Sequence, residues 1–219
     1  MGRKDLSEQR RAQIIEAFYH CVTRYGLKDS SLRLVAKEAG VQLSILHHYF
    51  ENRDEMIEEL AWSIVEKAIE NIEQQIMKYK DPETRYNKSF EFLFGPDMIN
   101  AELELLFHNL RAESALNETV REVFIHLYDR WREGVIEYLV DAYAKTILTP
   151  TEKKEITWAI IAIQDGACLQ WDAYHDNVFL KKMAHLTREL FELYVKDREA
   201  KAVSKSSRRV NAAKAGSKA

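Results

Sequence analysis

The sequence contains few of the residues that interrupt regular structure. Only three prolines and seven glycines occur in 219 residues, and Pro82, Pro96 and Pro150 each lie between strongly patterned segments. Alternating runs of β-branched residues joined by Asn-Gly or Asp-Gly turns are also missing, which gives β-strands little support. These absences, together with apolar residues at helical spacing, predict an all-α chain of about nine helices.

Other absences bear on location and chemistry. No segment approaches the roughly 20 consecutive apolar residues of a membrane span, and the N-terminus lacks the apolar stretch of a secretory signal. Cys21 and Cys168 are the only cysteines and lie in helical patterns, which indicates buried thiols in a reduced compartment. We therefore expect a cytoplasmic protein without a membrane partner.

No motif for catalysis, a cofactor or a metal is apparent. A Gly-rich phosphate loop, a His-Glu-x-x-His sequence, a nucleophile motif and a Cys/His cluster are all missing. Asp172, His175 and Asp176 have helical spacing, but such a cluster is also common at a helix end. We expect no enzyme activity, no cofactor and no metal site.

Charge is distributed unevenly along the chain, although the net charge is only −3. Residues 1–53 have a net charge of +3, residues 54–198 of −11 and residues 199–219 of +5. A basic end on an acidic body fits a protein that contacts a polyanion at one end only. The segment 199–219 loses apolar periodicity and is predicted to be a basic, disordered tail, either attracting phosphates or simply solvated.

Three short helices are predicted within residues 7–53. The first covers about 7–25 and ends at Gly26 in the left-handed conformation, the second covers 32–39 and ends at Gly40, and the third ends near Phe50. The second and third are separated by only a few residues, which is the arrangement of a helix-turn-helix. In that motif the last helix enters the DNA major groove.

The apolar pattern predicts which residues of this motif face outward. Its core should consist of Leu32, Val35, Ala36, Ala39, Val41, Leu46 and Phe50. The rest of the third helix then faces solvent or DNA: Leu43, Ser44, Ile45, His47 and His48. Outward aliphatic side chains suit contact with thymine methyl groups. Because His47 and His48 are adjacent, their side chains diverge on a helix and do not suggest a metal pair.

In this region the sequence resembles the TetR family of transcriptional regulators. The resemblance lies in Arg11-Ala12-Gln13-Ile14-Ile15-Glu16-Ala17, Tyr25-Gly26-Leu27, Ser31-Leu32-Arg33-Leu34-Val35-Ala36-Lys37-Glu38-Ala39-Gly40-Val41 and Leu46-His47-His48-Tyr49-Phe50-Glu51-Asn52-Arg53-Asp54-Glu55-Met56-Ile57. These matches cover about the first quarter of the chain and are more specific than a generic helix-turn-helix.

The resemblance implies DNA-contacting roles for named residues. Arg33 is expected to reach a base edge or phosphate, and the base-reading positions are held by Gln42, Leu43, Ser44 and Ile45. His47 and Tyr49 stand where the family usually places a Tyr and a His that bond phosphates, with His48 on the same outward face, and Arg53 replaces a phosphate-binding lysine. His47 stands in place of the family's usual Tyr, and its shorter side chain reaches less far. Gln42 stands in place of the usual Ser and weakens the cap of the third helix.

Downstream, Asn52 and Glu55 have the spacing of a capping box that opens a long helix to about Lys80. Further helices are predicted over 83–94, 98–115, 117–147, 151–174 and 178–198. The resemblance makes residues 1–53 a DNA-binding domain and residues 54–198 a ligand-binding and dimerisation domain.

The last two helices each have two apolar stripes, which indicates burial between two layers. In the helix 151–174 the second stripe is Trp158, Ala162 and Leu169. The family resemblance implies a four-helix bundle between two copies, for which we expect an interface of Ile156, Ile160, Ile163, Trp171, Met183, Leu186, Leu190 and Tyr194. A dimer would place two reading helices about 34 Å apart, in successive major grooves.

The resemblance also implies a ligand cavity in the helical body. We expect its lining to include Trp62, Phe90, Phe107, His108, Arg111, Phe124, Tyr128, Trp131, Gln164, Cys168 and Trp171. The segment Asp165-Gly166-Ala167-Cys168-Leu169-Gln170-Trp171 resembles the choline-responsive betaine-regulator branch. Aromatic cages bind quaternary ammonium by cation–π attraction.

Together these features predict a DNA-binding repressor. It should bind a palindromic operator on double-stranded DNA as a homodimer and be released by a small, largely apolar or cationic effector. Alternatives are a helical DNA-binding dimer controlled by a protein partner, a thiol sensor acting through Cys168, and an uncharacterised all-α enzyme.

Overall fold

The computed structural model describes residues 3–216, with side chains described from residue 6 to residue 204. It contains ten α-helices: α1 (Arg3–Asp29), α2 (Leu32–Glu38), α3 (Leu43–Tyr49), α4 (Arg53–Met77), α5 (Pro82–Leu93), α6 (Ala101–Ser114), α7 (Glu118–Val135), α8 (Asp141–Ala144), α9 (Pro150–Tyr174) and α10 (Asn177–Gly216). A π-helical turn, Ile136–Val140, joins α7 directly to α8, so these three segments form the one helix predicted over 117–147. No β-strand occurs among the described residues, and the all-α prediction is confirmed.

The first predicted helix is interrupted at Gly26, where the sequence places its end. Gly26 has φ 77° and ψ 163°, and a short helical segment follows this kink within α1. The φ is positive as expected, but the ψ is extended rather than left-handed helical, a combination open mainly to glycine.

The last helix does not end near residue 198, because α10 continues to Gly216. The segment lacks an apolar stripe, but Ala, Lys and Arg are strong helix formers without one. Lys201 Nζ also lies 2.6 Å from Asp197 Oδ2 one turn earlier. The expected disorder is therefore wrong for residues 199–216, whereas residues 217–219 and the basic side chains beyond residue 204 lie outside the described parts.

The chain divides into two compact units. The first consists of the residues up to Glu73 together with Asn100–Arg130. Its core is formed by α1 to α4 with α6 and α7, and its fully buried side chains include Ile14, Phe18, Leu46, Phe50, Met56, Ile57, Leu60, Leu106 and Leu110. These residues join the three N-terminal helices to the long helix α4 and to α6.

The second unit consists of Gln74–Ile99 together with the residues from Trp131 onward. Within it α10 packs against α9 and α5, and α5 packs against the π turn and α8. Thr149 caps α9 in a reciprocal capping box with Glu152, and Asp81 caps α5 through the Thr84 N–H. The predicted functional division after residue 53 stays a prediction.

The expectations for the two cysteines and for membrane spans can be compared with this fold. Both thiols are buried, as predicted, and burial raises the pKa of Cys21. Among the described residues, none of the helices combines the length and apolar character that a membrane crossing requires.

Candidate nucleic-acid interface

The turn between α2 and α3 is determined by local hydrogen bonds. Ser31 Oγ accepts the Leu34 N–H and begins α2. At the other end Val41 N donates to Ala36 O at 2.9 Å and Gly40 N to Lys37 O at 3.2 Å, with Gly40 at φ 65°. This pair of bonds is a Schellman motif, which needs a left-handed residue where glycine stands. The chain therefore leaves α2 in a fixed direction and enters α3 after only a few residues.

Most side chains of the helix α3 are exposed to solvent, and two buried residues anchor the helix. Leu46 and Phe50 are each only 1% exposed in the core of the first unit. Ser44, Ile45, His47 and His48 are exposed, with Ile45 at 41%, whereas Leu43 is half-buried against the core. The predicted outward face therefore exists, with Leu43 at its edge. Gln42 begins the helix without a side-chain hydrogen bond, in line with the weak cap that its identity predicts.

A clamp that the sequence analysis missed holds the C-terminal end of α3. Arg11 of α1 donates to Glu55 Oε1 at 2.7 Å, to Glu59 Oε2 at 2.5 Å and to the backbone carbonyl of Tyr49. Its guanidinium also lies 4.2 Å from the centre of the Phe50 ring. One cation thus ties α1, α3 and α4 together. Its partners are 38 to 48 residues away in sequence, so no local pattern could reveal it.

The start of α4 is capped in part as predicted. Asn52 Oδ1 accepts the Glu55 N–H at 2.9 Å, but Glu55 Oε2 accepts the N–H of Glu51, at 2.7 Å, instead of that of Asn52. The predicted capping box is therefore wrong in its second bond, because the Glu55 carboxylate also faces Arg11. The hydrogen bond from Arg11 is the main reason that the pKa of Glu55 lies below its ordinary value.

Arg53 has an internal partner in addition to its predicted role. It is half-buried and donates to the carbonyl of Leu27, while the Leu27 N–H donates to Asn109 Oδ1 of α6 at 3.2 Å. These bonds fix the corner after Gly26. Arg53 therefore has a structural role through at least one of its nitrogens. Arg33 and Gln42 are exposed, and Tyr49 is half-buried.

The residues predicted to line one ligand cavity are divided between the two units. In the first unit the Trp62 and His126 rings are tilted, with centroids 5.2 Å apart, and the Phe107 and Phe124 centroids lie 6.3 Å apart. Arg111 donates to the Tyr128 hydroxyl at 3.4 Å, and His108 is exposed. Phe124 is buried in the core of this unit, and Phe107 packs against that core. Periodicity does not distinguish core packing from pocket lining, and the predicted lining stays a prediction.

In the second unit the remaining predicted residues are also engaged in local contacts. Gln164 Nε2 donates to Cys168 Sγ at 3.0 Å, and Trp171 Nε1 donates to Asn177 Oδ1 at 2.9 Å. Trp131 is buried. A cavity of about 550 Å³ in this unit lies instead between α5 and α10, and of the predicted residues only Phe90 lines it.

The apolar stripes of α9 and α10 are partly reversed relative to the prediction. On α9, Ile160 is 1% exposed and Ile156, Ile163 and Trp171 are half-buried, so this stripe faces the protomer core. The residues of the other stripe of α9, Trp158, Ala162 and Leu169, are exposed. On α10, Leu186 and Leu190 are exposed as expected, Met183 and Tyr194 are half-buried, and Leu193 joins them.

Two protein-family models match the chain. One, described as "BetI-type transcriptional repressor, C-terminal", matches residues 82–195. The other, described as "Bacterial regulatory proteins, tetR family", matches residues 14–60, which contain α2, α3 and the start of α4. Both descriptions are of regulators and not of enzymes.

Similar proteins of known description are also transcriptional regulators. The nicotine-responsive transcriptional repressor HdnoR of Paenarthrobacter nicotinovorans is 26% identical over 165 residues, covering 75% of this chain and 84% of that protein. The regulator BetI of Yersinia pestis strain Pestoides F is 30% identical over 103 residues, covering 46% of this chain and 52% of BetI.

Solved structures share the fold at lower identity. A TetR transcription regulator from Haloarcula marismortui has a TM-score of 0.72 and 19% identity, covering 87% of this chain and 98% of that one. A regulator from Saccharomonospora viridis, in complex with choline, has a TM-score of 0.69 and 18% identity, covering 84% and 96%.

Proposed function

Because the chain belongs to the TetR family of transcriptional regulators, we propose that it binds a palindromic operator as a homodimer and represses transcription until a small ligand releases it. The observation that carries the proposal is the accessible face of α3, on a helix anchored by Leu46 and Phe50 and clamped by Arg11. A rigid, exposed helix of this kind is what base reading in the major groove requires.

The chemistry of the exposed face fits base and phosphate contacts. Ile45 offers a methyl-rich surface for thymine, and Ser44 and His48 offer hydrogen-bonding groups for base edges. Arg33, His47 and Tyr49 are the proposed phosphate contacts, with any free nitrogen of Arg53. Phosphate contacts set the register of the helix, and base contacts give the specificity.

A second copy is proposed to cover the exposed apolar residues of α9 and α10. The interface would consist of Trp158, Ala162, Leu169, Leu186, Leu190 and Leu193, with Met183 and Tyr194 at its edge. Several exposed apolar residues on two helices that pack together are typical of a protein interface. Pairing through these helices would also supply the second reading helix that a palindrome needs.

Control by a small ligand is supported by the relatives. HdnoR is described as nicotine-responsive, and the Saccharomonospora viridis structure contains choline. α4 carries Glu55 and Glu59, which bind Arg11, and its last residues, 74–77, belong to the second unit. A ligand that binds more tightly to one of two positions of α4 would shift the protein toward that position. The DNA affinity would then change to the extent that the ligand distinguishes the two positions. The proposed location is cytoplasmic, where such a regulator meets the chromosome.

Selection from random duplexes tests this function. Purified protein should enrich a two-fold symmetric sequence and bind it at least 1000-fold more tightly than random duplex at about 150 mM salt, as specific regulators do. The affinities are measured by fluorescence anisotropy over a salt series, with the random duplex as the control for phosphate attraction. Enrichment of no sequence, or equal affinity for both duplexes, would contradict the proposal.

A further inference from the structure

The cavity between α5 and α10 has the size of a small-molecule site. Its volume of about 550 Å³ lies within the range of ligand pockets. The apolar part of its lining consists of Phe90, Phe94, Pro96, Leu180 and Ala184. All of its lining residues belong to the second unit, so the cavity is complete within one unit of one chain.

The charged part of the lining is mainly basic. Lys181, His185 and Arg188 lie along one side of α10, opposite a single carboxylate, Glu91 of α5. Glu91 is already paired, because its Oε2 lies 2.5 Å from Lys88 Nζ. Within the described part of the chain, no carboxylate lies within ion-pair distance of Lys181 or Arg188, and His185 lies 3.4 Å from Glu189. The cavity therefore offers more positive charge than it neutralises.

Arg188 is held in place by aromatic rings. Its guanidinium carbon lies 5.2 Å from the Phe90 ring centre and 5.5 Å from that of Tyr86. Tyr86 is itself fixed, since its hydroxyl lies 3.0 Å from Glu192 Oε1 and its ring stacks on Tyr143 at 4.7 Å. A planar guanidinium fixed in this way retains N–H groups for a carboxylate, which it can bind through two bonds.

The same contacts disfavour a cationic ligand in this cavity. A quaternary ammonium would bind through the face of an aromatic ring. Here Arg188 already lies over the ring of Phe90, an aromatic residue that lines the cavity. A second cation would be repelled by Arg188 and Lys181. The cavity thus differs in chemistry from a choline cage.

We propose that this cavity binds an amphipathic carboxylate, with the apolar body on Phe90, Phe94 and Leu180 and the carboxylate on Arg188 and Lys181. The assignment of this cavity as the effector site rests on the proposed function, and it specifies the chemical class of the effector. The exposed leucines of α10, Leu186, Leu190 and Leu193, project from the opposite side of that helix. The cavity therefore stays accessible when the proposed dimer forms.

Three probes with the same alkyl chain separate charge from hydrophobicity. Isothermal titration of the full chain with decanoate, decanol and decyltrimethylammonium should give one decanoate site per chain, at least tenfold tighter than either other probe. Tighter binding of decyltrimethylammonium, or equal binding of decanoate and decanol, would overturn the proposal.

Variants test the assigned residues. Arg188→Gln should weaken decanoate binding about tenfold, the loss typical of one charged hydrogen-bonding partner, and leave decanol binding unchanged. Lys181→Gln, at an exposed position, should weaken it a few-fold, and Glu91→Gln should strengthen it. Lys182→Gln is the matched control, because Lys182 is the next cation along α10 but does not line the cavity. Unchanged decanoate affinity in both Arg188→Gln and Lys181→Gln would overturn the assignment.

A second readout separates this inference from the proposed function. Decanoate should release the selected duplex from wild-type protein, and Arg188→Gln should need about tenfold more decanoate for the same release. If decanoate binds but the duplex stays bound, the effector role is wrong although the site exists. If wild-type protein binds no duplex specifically, the proposed function fails while the titrations still decide the ligand class.

Discussion

Substituting both Leu186 and Leu190 by glutamate is expected to make the protein monomeric and to lower its affinity for a two-half-site duplex on the order of 100-fold. Leu190 is 56% exposed in the single chain, and Leu186 lies one helical turn before it. Placing four carboxylates in an apolar interface between two copies would leave them desolvated and unpaired, at a cost of several kcal/mol for each buried charge. The second reading helix would then no longer be held beside the first.

Sedimentation equilibrium and duplex titration measure the two effects separately. The matched control is Leu116→Glu, because Leu116 is also an exposed leucine, at 88%, but lies between α6 and α7. It should remain dimeric and bind as the wild type does. A dimeric double variant with wild-type DNA affinity would show that another surface pairs the chains, or that none is needed.

Substituting Arg11 by alanine is expected to lower both stability and DNA affinity. The change removes bonds to Glu55, Glu59 and the Tyr49 carbonyl and leaves two carboxylates of α4 close together. The Arg11 side chain is one-third exposed, so solvent screens part of the loss. We expect about 2 kcal/mol less free energy of unfolding, below the 3–5 kcal/mol of a fully buried pair, and about tenfold weaker DNA binding because α3 loses its C-terminal clamp.

The pH dependence identifies the contact responsible. Since Arg11 lowers the pKa of Glu55, the contact contributes stability above the ordinary glutamate value of about 4.3 and loses it as pH falls through the lower folded value. The difference between wild type and Arg11→Ala, measured by urea unfolding, should therefore shrink below about pH 4. Arg24→Ala is the control, since Arg24 makes one exposed contact with Glu38 at 3.4 Å. An Arg11→Ala protein no less stable than Arg24→Ala would contradict the stabilising role of the Arg11 clamp.

The sequence predicts the DNA-binding motif well because its signals are local. Ser31, Gly40 and the apolar positions Leu46 and Phe50 each act within a few residues, through caps, a positive φ or helical spacing. The accessible face of α3 follows directly from these positions. Such signals do not depend on distant parts of the chain, so one sequence is enough to read them.

The features that the sequence alone does not determine depend on distant contacts. Both stripes of α9 are apolar, and packing against α10 and the π turn decides that Ile160 is buried and Trp158 exposed. Aromatic residues predicted to form a pocket, such as Phe107 and Phe124, are equally suited to a core. The cavity between α5 and α10 depends on Arg188 and Phe90, nearly 100 residues apart, and no periodicity links them.

The central claim is that the exposed face of α3 reads bases, and repeating the duplex selection with Ile45→Asn tests it most directly. The matched control is Ile125→Asn, at a similarly exposed isoleucine of α7. Ile45→Asn is expected to change the preferred base pairs at one or two symmetric positions of each half-site, while Ile125→Asn should select the wild-type sequence. If Ile45→Asn selects the wild-type sequence with undiminished affinity, α3 is not the reading helix.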